Sequence, residues 1–184
     1  KINVVPLSFI GPSSVSLELE NIRATSEQDK IANITKNYTV TDKADGIRKL
    51  LYIHKDGKLY LIDMNMKVQF TGTVTNNKSL YNSIYDGEHI LFDKKGNFIN
   101  LFACFDIYFD NKKDVRSLPL VDSSESPFRL KHLQENANSM RLAGLKSTDA
   151  PMTVKAKDFY SGSNIFLQCK KILEKEEKGQ FIYE

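Results

Sequence analysis

The chain has 184 residues and a formal net charge of +3, with 41% hydrophobic and 27% charged residues. This balance is typical of one globular domain with a substantial core, and it excludes a disordered or fibrous protein. The weak positive charge is compatible with a polyanionic substrate but does not identify one. No apolar run approaches the ~20 residues of a membrane span, and no signal peptide is visible at the N-terminus.

The residues that most often bind metals are few and scattered. Cys104 and Cys169 are far apart in the sequence, so they predict small packed side chains rather than a disulfide framework or a zinc cluster. The three histidines, His54, His89 and His132, do not have ligand spacing and are expected to be structural or solvated. No metal ligand is therefore assigned from the sequence.

The first part of the chain predicts extended segments and one short helix. Lys1 to Asn21 contains Gly11-Pro12 and predicts extended structure. Thr25-Ser26-Glu27-Gln28 has the pattern of a capping box, which predicts a helix that ends near Asn33. Tyr38 to Asp42 alternates apolar and polar residues, as a half-buried strand does.

Strands then follow one another, separated by glycine-containing turns. Asp56-Gly57 predicts a hairpin with a type I′ turn, and Lys94 to Asn97 predicts a second hairpin. The expected strands are Ile47 to Ile53, Leu59 to Asp63, Lys67 to Thr73, Ile84 to Phe92 and Leu101 to Phe109.

Two helices are predicted after the strands. The first begins at Ser126-Pro127 and ends at Gly144, and the second runs from about Ser163 to a C-cap at Gly179. The apolar residues expected on one face are Leu130, Leu133, Ala137 and Met140 in the first helix, and Phe166, Cys169 and Leu173 in the second. Antiparallel strands with packed helices predict an α+β domain.

Residues 43–48, with the sequence Lys-Ala-Asp-Gly-Ile-Arg, place a lysine where a predicted strand gives way to a turn. Asp45-Gly46 has turn chemistry, because glycine tolerates positive φ and aspartate can bond its own backbone. A nucleophilic lysine must be neutral, so it needs a nearby cation or burial to lower its pKa, and Arg48 is a candidate for that cation. The alternative is a surface hairpin with a solvated lysine.

Three further segments accompany residues 43–48. Asp86-Gly87-Glu88 interrupts one apolar strand, and Phe105-Asp106 lies near the end of the next. Upstream, residues 9–17 read Phe-Ile-Gly-Pro-Ser-Ser-Val-Ser-Leu. Any one of these segments is weak evidence for a function, but the ordered set is specific.

In this order, the four segments resemble the covalent nucleotidyltransferases, which include mRNA capping enzymes and polynucleotide ligases. Residues 43–48 correspond to motif I of that superfamily, residues 86–88 to motif III, and Phe105-Asp106 to motif IIIa. Residues 9–17 are similar to the F-P-G-x-x-P-V-S-L segment of guanylyltransferases, with Ile10 and Ser14 in place of the two prolines. The resemblance therefore implies a capping-type nucleotidyltransferase (ATP-grasp/ligase-like) domain.

The resemblance implies a two-step reaction that starts from GTP. Lys43 would attack the α-phosphate of GTP, release pyrophosphate and retain GMP through a phosphoramidate bond. The diphosphate 5′ end of an RNA would then accept the GMP as its cap. Mg²⁺ or Mn²⁺ is expected to neutralise charge on the phosphate oxygens.

The resemblance also implies roles for other side chains. Asp45 would orient the turn, Arg48 would contact the sugar or phosphate, and Glu88 would bind ribose hydroxyls or metal. Phe105 would stack on the guanine, with Phe102 and Phe109 as alternatives. In the segment Val154 to Tyr160, Lys157 would read the guanine O6, with Lys155 as the alternative.

The chain departs from the family pattern at two places. Met64 stands where many capping enzymes have an arginine that binds phosphates, so that contact is expected to be missing or to come from Lys67. Motif IV would begin after Phe181 to Glu184, and motif V and the OB-fold with motif VI would follow it. Residues 1–184 are therefore expected to be the front part of a nucleotidyltransferase domain in a longer protein.

The combined motifs look most like the multifunctional capping enzymes of large cytoplasmic DNA viruses. The resemblance then implies linked triphosphatase and methyltransferase domains, and a location in the host cytoplasm or the virion. Two alternatives remain open. One is an ATP-dependent DNA or RNA ligase, which adenylylates its lysine, and the other is a non-catalytic module that binds RNA or a partner.

Overall fold

The computed structural model describes residues 8–23, 31–121 and 127–181, which form two compact units. The first unit holds residues 8–10, 44–121 and 127–157, and the second holds residues 11–23, 31–43 and 158–181. The capping box predicted at residues 25–28 lies outside the described residues. No helix in the described part of the chain combines the length and the apolar character that crossing a membrane requires.

The first unit is built on one eight-stranded sheet with the order β6-β5-β4-β1-β2-β3-β7. Neighbours in this order are antiparallel, and β8 pairs with β5 in parallel. The strands are β1 Ile47–Ile53, β2 Lys58–Ile62, β3 Val68–Thr75, β4 Ser83–Phe92, β5 Phe98–Asp110, β6 Lys113–Asp114, β7 Leu142–Gly144 and β8 Thr153–Ala156. The five strands predicted from residue 47 onward are confirmed.

The centre of the sheet forms because its strands carry apolar residues toward a shared core. β1 and β2 alternate buried and half-buried positions, as expected for antiparallel strands with one packed face. The largest fully buried side chains of the sheet include Leu51, Ile53, Leu59, Tyr85, Phe102 and Ile107. Cys104 is also buried and free, and burial raises the pKa of its thiol.

Both predicted hairpins are present, but the first has a different turn. Gly57 has a φ of +84°, whereas Asp56 is not among the residues with positive φ. A type I′ turn requires positive φ at both central residues, so that prediction is wrong. The Gly57 amide donates to the His54 carbonyl at 2.9 Å, and the single left-handed residue is sufficient to close the turn.

Helix α1, Arg129–Ser139, packs against β5 and β8 through Leu130 and Leu133. Its N-cap residue is Phe128, and Ser126 lies outside the described residues. The prediction that Gly144 ends this helix is wrong, because the helix stops five residues earlier and Gly144 pairs with β3. A Cβ at Gly144 would lie 2.2 Å from the Asp149 carbonyl oxygen, so close backbone approach explains this glycine.

The second unit contains helix α2, Ile165–Glu177. Asn164 caps it by accepting from the Leu167 amide at 3.2 Å, and Gly179, with φ +62°, follows its last turn. The predicted apolar face is wrong: Ile165 and Ile172 are buried, whereas Phe166 and Leu173 are exposed.

The strand predicted at residues 38–42 is only an isolated bridge. The Val40 amide donates to the Tyr160 carbonyl at 2.9 Å, and the Tyr160 amide donates back at 2.8 Å. Leu19–Asn21 form a short 3₁₀ turn, so the prediction of extended structure up to residue 21 is wrong there. The α+β class is confirmed by the mostly antiparallel sheet and its two helices.

Candidate active site

The segment after Lys43 is anchored to β4 by small residues. Ala44 is 1% exposed and packs with Ile90, Leu101 and Ala103. A Cβ at Gly46 would lie 2.8 Å from Ile90 Cγ1, so no larger residue fits without a shift. Gly46 does not have a positive φ. The sequence argument for this glycine was therefore wrong, because close packing rather than a left-handed backbone requires it.

Pairing of β1 with β4 brings three charged side chains together on one face. Arg48 lies opposite Glu88, and Leu50 lies opposite Asp86. Residues two apart on a strand share a face, so Arg48, Asp86 and Glu88 project from the same side of the sheet.

Asp86 holds Arg48 in a forked ion pair. The distance from Arg48 Nη2 to Asp86 Oδ2 is 2.6 Å, and that from Nε to Oδ1 is 3.1 Å. The Tyr108 hydroxyl donates to the same Oδ2 at 2.5 Å, and the Asp86 side chain is fully buried. The hydrogen bond from Asp86 raises the pKa of Arg48, so this guanidinium is charged and fixed in orientation.

Two aromatic rings flank the Arg48 guanidinium. Its central carbon lies 5.1 Å from the Phe9 ring centroid and 5.6 Å from that of Phe105. These distances are typical of cation–π contacts. Phe102 is fully buried in the core, and Phe109 lies beside Arg116 with 5.2 Å between guanidinium and ring. Of the three candidate aromatics, Phe105 is therefore the one beside Arg48.

An irregularity in the β4–β5 pairing accounts for the position of Phe105. Asp86 pairs with Asp106 and Gly87 with Cys104, which leaves Phe105 as an extra residue on β5. Such a bulge redirects a side chain, and Phe105 is half-buried although its neighbour Cys104 is fully buried. A Cβ at Gly87 would lie 2.6 Å from the Ala103 carbonyl oxygen, so the irregular pairing depends on glycine.

Glu88 has an unsatisfied acceptor in this arrangement. Its Oε2 is buried, and no described residue donates a hydrogen bond to it. Buried polar atoms in folded proteins almost always have a partner. A carboxylate oxygen in this state is suited to a donor from outside the chain, such as a sugar hydroxyl, or to a hard cation such as Mg²⁺.

The two lysine alternatives differ in burial. Lys157 is 5% exposed, and its amide donates to the Cys104 carbonyl at 2.8 Å, directly beside Phe105 in sequence. Lys155 is exposed on β8. The structure thus places Lys157, and not Lys155, inside the first unit next to the strand that carries Phe105.

The remaining candidates occupy the ends of the segment. Lys43 is exposed and is the last residue of its stretch in the second unit, where Thr41 Oγ1 donates to the Asp158 carbonyl at 2.7 Å. Asp45 is exposed in the first unit. Lys67 and Met64 are both exposed around the β2–β3 turn. The catalytic and nucleotide-binding roles assigned to these residues stay predictions.

Two residues of the site were missed by sequence reasoning. Tyr108 shares a strand face with Asp106, so period-2 alternation from motif IIIa was an available signal for it. Arg129 of α1 binds Asp106 through Nε–Oδ1 at 2.7 Å and Nη2–Oδ2 at 3.1 Å. No local sequence signal connects a helix residue to that strand. Asp106 is therefore occupied by an internal partner.

The part of the chain that the structure describes has no cluster of three or more histidine, cysteine or acidic side chains. The histidines instead contact neighbours in the fold. His54 lies 2.8 Å from Asp56, His132 lies 2.8 Å from Asp110, and His89 lies 2.9 Å from Asn100.

Comparison with known proteins agrees with these features. The family described as the mRNA capping enzyme catalytic domain matches residues 2–184. A probable mRNA-capping enzyme of Acanthamoeba polyphaga mimivirus is 33% identical over 101 residues, which are 55% of this chain and 8% of that relative's length. The chain thus aligns with only a small part of that much longer protein. Because the family match extends over nearly every residue, this chain belongs to the mRNA capping enzyme catalytic domain family.

Proposed function

We propose that this chain is a GTP:mRNA guanylyltransferase domain that works through a covalent lysyl-GMP intermediate. The proposal is supported by the family match and by the place of Lys43 at the head of the motif I sequence. The lone pair on the Lys43 Nζ forms a bond to the α-phosphorus of GTP, and the bond from that phosphorus to the bridging oxygen breaks. Pyrophosphate leaves, and the amine proton passes to solvent.

In the second step the RNA receives the nucleotide. A terminal phosphate oxygen of a 5′-diphosphate RNA attacks the same phosphorus, and the phosphorus–nitrogen bond to Lys43 breaks. The lysine recovers a proton, and the RNA carries GMP as its cap. Splitting the transfer in this way replaces one difficult displacement by two easier ones.

The observation that supports the nucleotide site best is the unpartnered Glu88 Oε2 beside the fixed Arg48. A nucleoside has vicinal hydroxyls, which are donors of the kind that this buried oxygen lacks. Arg48 is held by Asp86, and Phe105 supplies a half-buried ring beside it. Glu88, Arg48 and Phe105 would therefore bind ribose, the sugar–phosphate portion and base.

Further residues would complete nucleotide recognition. Lys157 would donate to the guanine O6, which adenine lacks, and Asp45 would orient the segment after Lys43. A divalent ion, Mg²⁺ or Mn²⁺, would neutralise charge on the phosphate oxygens during transfer. One carboxylate together with substrate phosphates is a usual ligand set for Mg²⁺, and the Glu88 Oε2 fits that donor type.

The setting of the whole protein belongs to the same proposal. The similar mimivirus protein is described as a probable mRNA-capping enzyme, and the chain aligns with 8% of its length. We propose that the full-length protein also carries an OB-fold, with triphosphatase and methyltransferase domains linked to it. Its place of action would be the host cytoplasm or the virion.

Nucleotide choice separates the proposal from its closest competitor. The full-length protein is incubated with α-labelled GTP or α-labelled ATP and Mg²⁺, and covalent labelling is measured on a denaturing gel. We expect labelling with GTP and not with ATP. Preference for ATP would favour a polynucleotide ligase, and no labelling with either nucleotide in folded protein would favour a non-catalytic module.

A further inference from the structure

The tip of the β4–β5 hairpin carries two large exposed aromatic rings. Phe92, the last residue of β4, is 57% exposed, and Phe98, the first residue of β5, is 64% exposed. Their ring centroids lie 5.7 Å apart with an interplanar angle of 66°. The rings contact each other, but much of each remains open to solvent.

The turn between the two rings is positively charged. Lys94 and Lys95 are exposed, and within the described residues neither lysine makes an ion pair. Asp93 faces inward to the turn: its Oδ1 accepts from the Lys95 amide at 2.9 Å and from the Asn97 amide at 2.8 Å. The carboxylate thus shapes the loop, while both ammonium groups remain available to an external anion.

Exposed aromatic rings beside unpaired lysines match the chemistry of single-stranded nucleic acid. Bases stack on aromatic faces without much sequence preference, and lysines neutralise the phosphates. A purely apolar partner would gain nothing from the two lysines, and a folded acidic protein would not need two open ring faces. Charge and ring exposure together therefore favour an RNA strand.

The position of the tip relative to the candidate site supports the same occupant. Phe92 lies four residues beyond Glu88 on β4, which at strand rise corresponds to about 13 Å. Ala44, the residue after Lys43, packs on Ile90, two residues before Phe92. An RNA whose 5′ end enters the proposed nucleotide site therefore has its following nucleotides within reach of the tip.

We propose that the hairpin tip, formed by Phe92, Lys94, Lys95 and Phe98, is a docking surface for the first nucleotides of single-stranded 5′-diphosphate RNA. This inference rests on the proposed function, because guanylyl transfer supplies the reason for an RNA 5′ end to be present. The rings stack on bases, and the lysines contact the phosphates between them. The tip takes no part in formation of the GMP adduct.

The test separates the two half-reactions in the full-length protein. Self-guanylylation is measured with GTP alone, and GMP transfer is measured against increasing concentrations of a short single-stranded 5′-diphosphate RNA. The double variant Phe92→Leu with Phe98→Leu keeps apolar side chains but removes the aromatic faces. We expect unchanged adduct formation and a rise of about tenfold or more in the KM for RNA.

A second variant tests the lysines, and matched variants serve as controls. Lys94→Ala with Lys95→Ala should reduce the dependence of RNA affinity on log salt concentration by about two. Phe166→Leu, at a ring that is 52% exposed on α2, and Lys55→Ala, in the β1–β2 turn, should leave both measurements unchanged.

Each outcome decides the inference. A tip variant with normal adduct formation and an unchanged KM for RNA overturns it. So does a variant that changes the oligomeric state in sedimentation while RNA affinity stays constant, because the tip is then a protein interface. If the unmodified protein forms no adduct, the proposed function fails instead. Fluorescence anisotropy with the same labelled RNA then still tests the tip directly.

Discussion

Arg48 and Asp86 form a forked ion pair across β1 and β4, with 2.6 Å between Nη2 and Oδ2 and 3.1 Å between Nε and Oδ1. Tyr108 adds a hydrogen bond to the same carboxylate at 2.5 Å. The aspartate of the Asp-Gly-Glu motif is thus an internal brace for the arginine of residues 43–48. Two motifs far apart in sequence are coupled by this pair, and Glu88 lies beside it.

We expect Asp86→Asn to weaken both the fold and nucleotide binding. The variant keeps the shape of the side chain but removes the countercharge from a partly buried guanidinium. Because the Arg48 side chain is 23% exposed, the loss of unfolding free energy is expected at the lower end for a broken buried pair, about 2–3 kcal/mol. Urea unfolding measures this loss, and the GTP concentration needed for half-maximal labelling should rise in the folded variant.

Tyr108→Phe is the matched milder change. It removes one hydroxyl donor and leaves the Arg48–Asp86 pair in place, so about 1 kcal/mol of unfolding free energy is expected to be lost. A loss as large as that of Asp86→Asn would contradict the view that Tyr108 only supports the brace.

Gly87→Ala is expected to destabilise the first unit more than Gly96→Ala. At Gly87 a Cβ would lie 2.6 Å from the Ala103 carbonyl oxygen and 2.7 Å from Phe102 Cε1, neither of which can move freely in the core. Overpacking of this kind costs about 1–3 kcal/mol or more. At Gly96 there is open space, and only its φ of +80° opposes a side chain, at about 1–2 kcal/mol. Equal midpoints in urea would refute the close-approach argument.

The two phenylalanines three residues apart on β5 should separate folding from binding. Phe102 is fully buried, so Phe102→Ala should cost about 3–5 kcal/mol of unfolding free energy. Phe105 is half-buried beside Arg48, so Phe105→Ala should remain folded at 25 °C and label at least about tenfold more slowly at low GTP. Normal labelling by a folded Phe105→Ala variant would exclude this ring as the base contact.

His89 should make stability fall in mild acid. Burial, opposed in part by a hydrogen bond to Asn100, lowers the pKa of His89, and Lys49 Nζ lies 3.4 Å from its Nδ1. The unfolded histidine therefore binds a proton near pH 6.5 while the folded one does not, so the contribution to stability is full above about pH 6.5 and is lost as pH falls. Urea midpoints at pH 7.5 and 5.5 should converge in His89→Gln. An unchanged difference would contradict this.

Sequence patterns predicted the strands of the sheet because apolar alternation and glycine turns are local signals. Leu51 and Leu59 are buried as alternation requires. The errors came where neighbours in space decide the outcome. The apolar face of α2 turned toward Ile165 and Ile172 because packing, not average periodicity, selects the buried side.

The same distinction holds for the candidate site. Arg48, Glu88 and Phe105 were found from motif order, and the structure brings them together through strand pairing. The partners of the acidic residues could not be found this way. Arg129 reaches Asp106 from a helix, and a contact between distant segments leaves no trace in a single sequence.

The central claim is that Lys43 carries GMP, and mapping the adduct tests it most directly. The full-length protein is incubated with GTP and Mg²⁺, digested at alkaline pH to preserve a phosphoramidate, and analysed by mass spectrometry. We predict one GMP-modified peptide, with the modification on Lys43 and lost in acid. Lys43→Ala and Lys43→Arg should both abolish it, because arginine stays protonated and cannot act as the nucleophile. GMP on another residue, or labelling that persists in folded Lys43→Ala protein, would contradict the account.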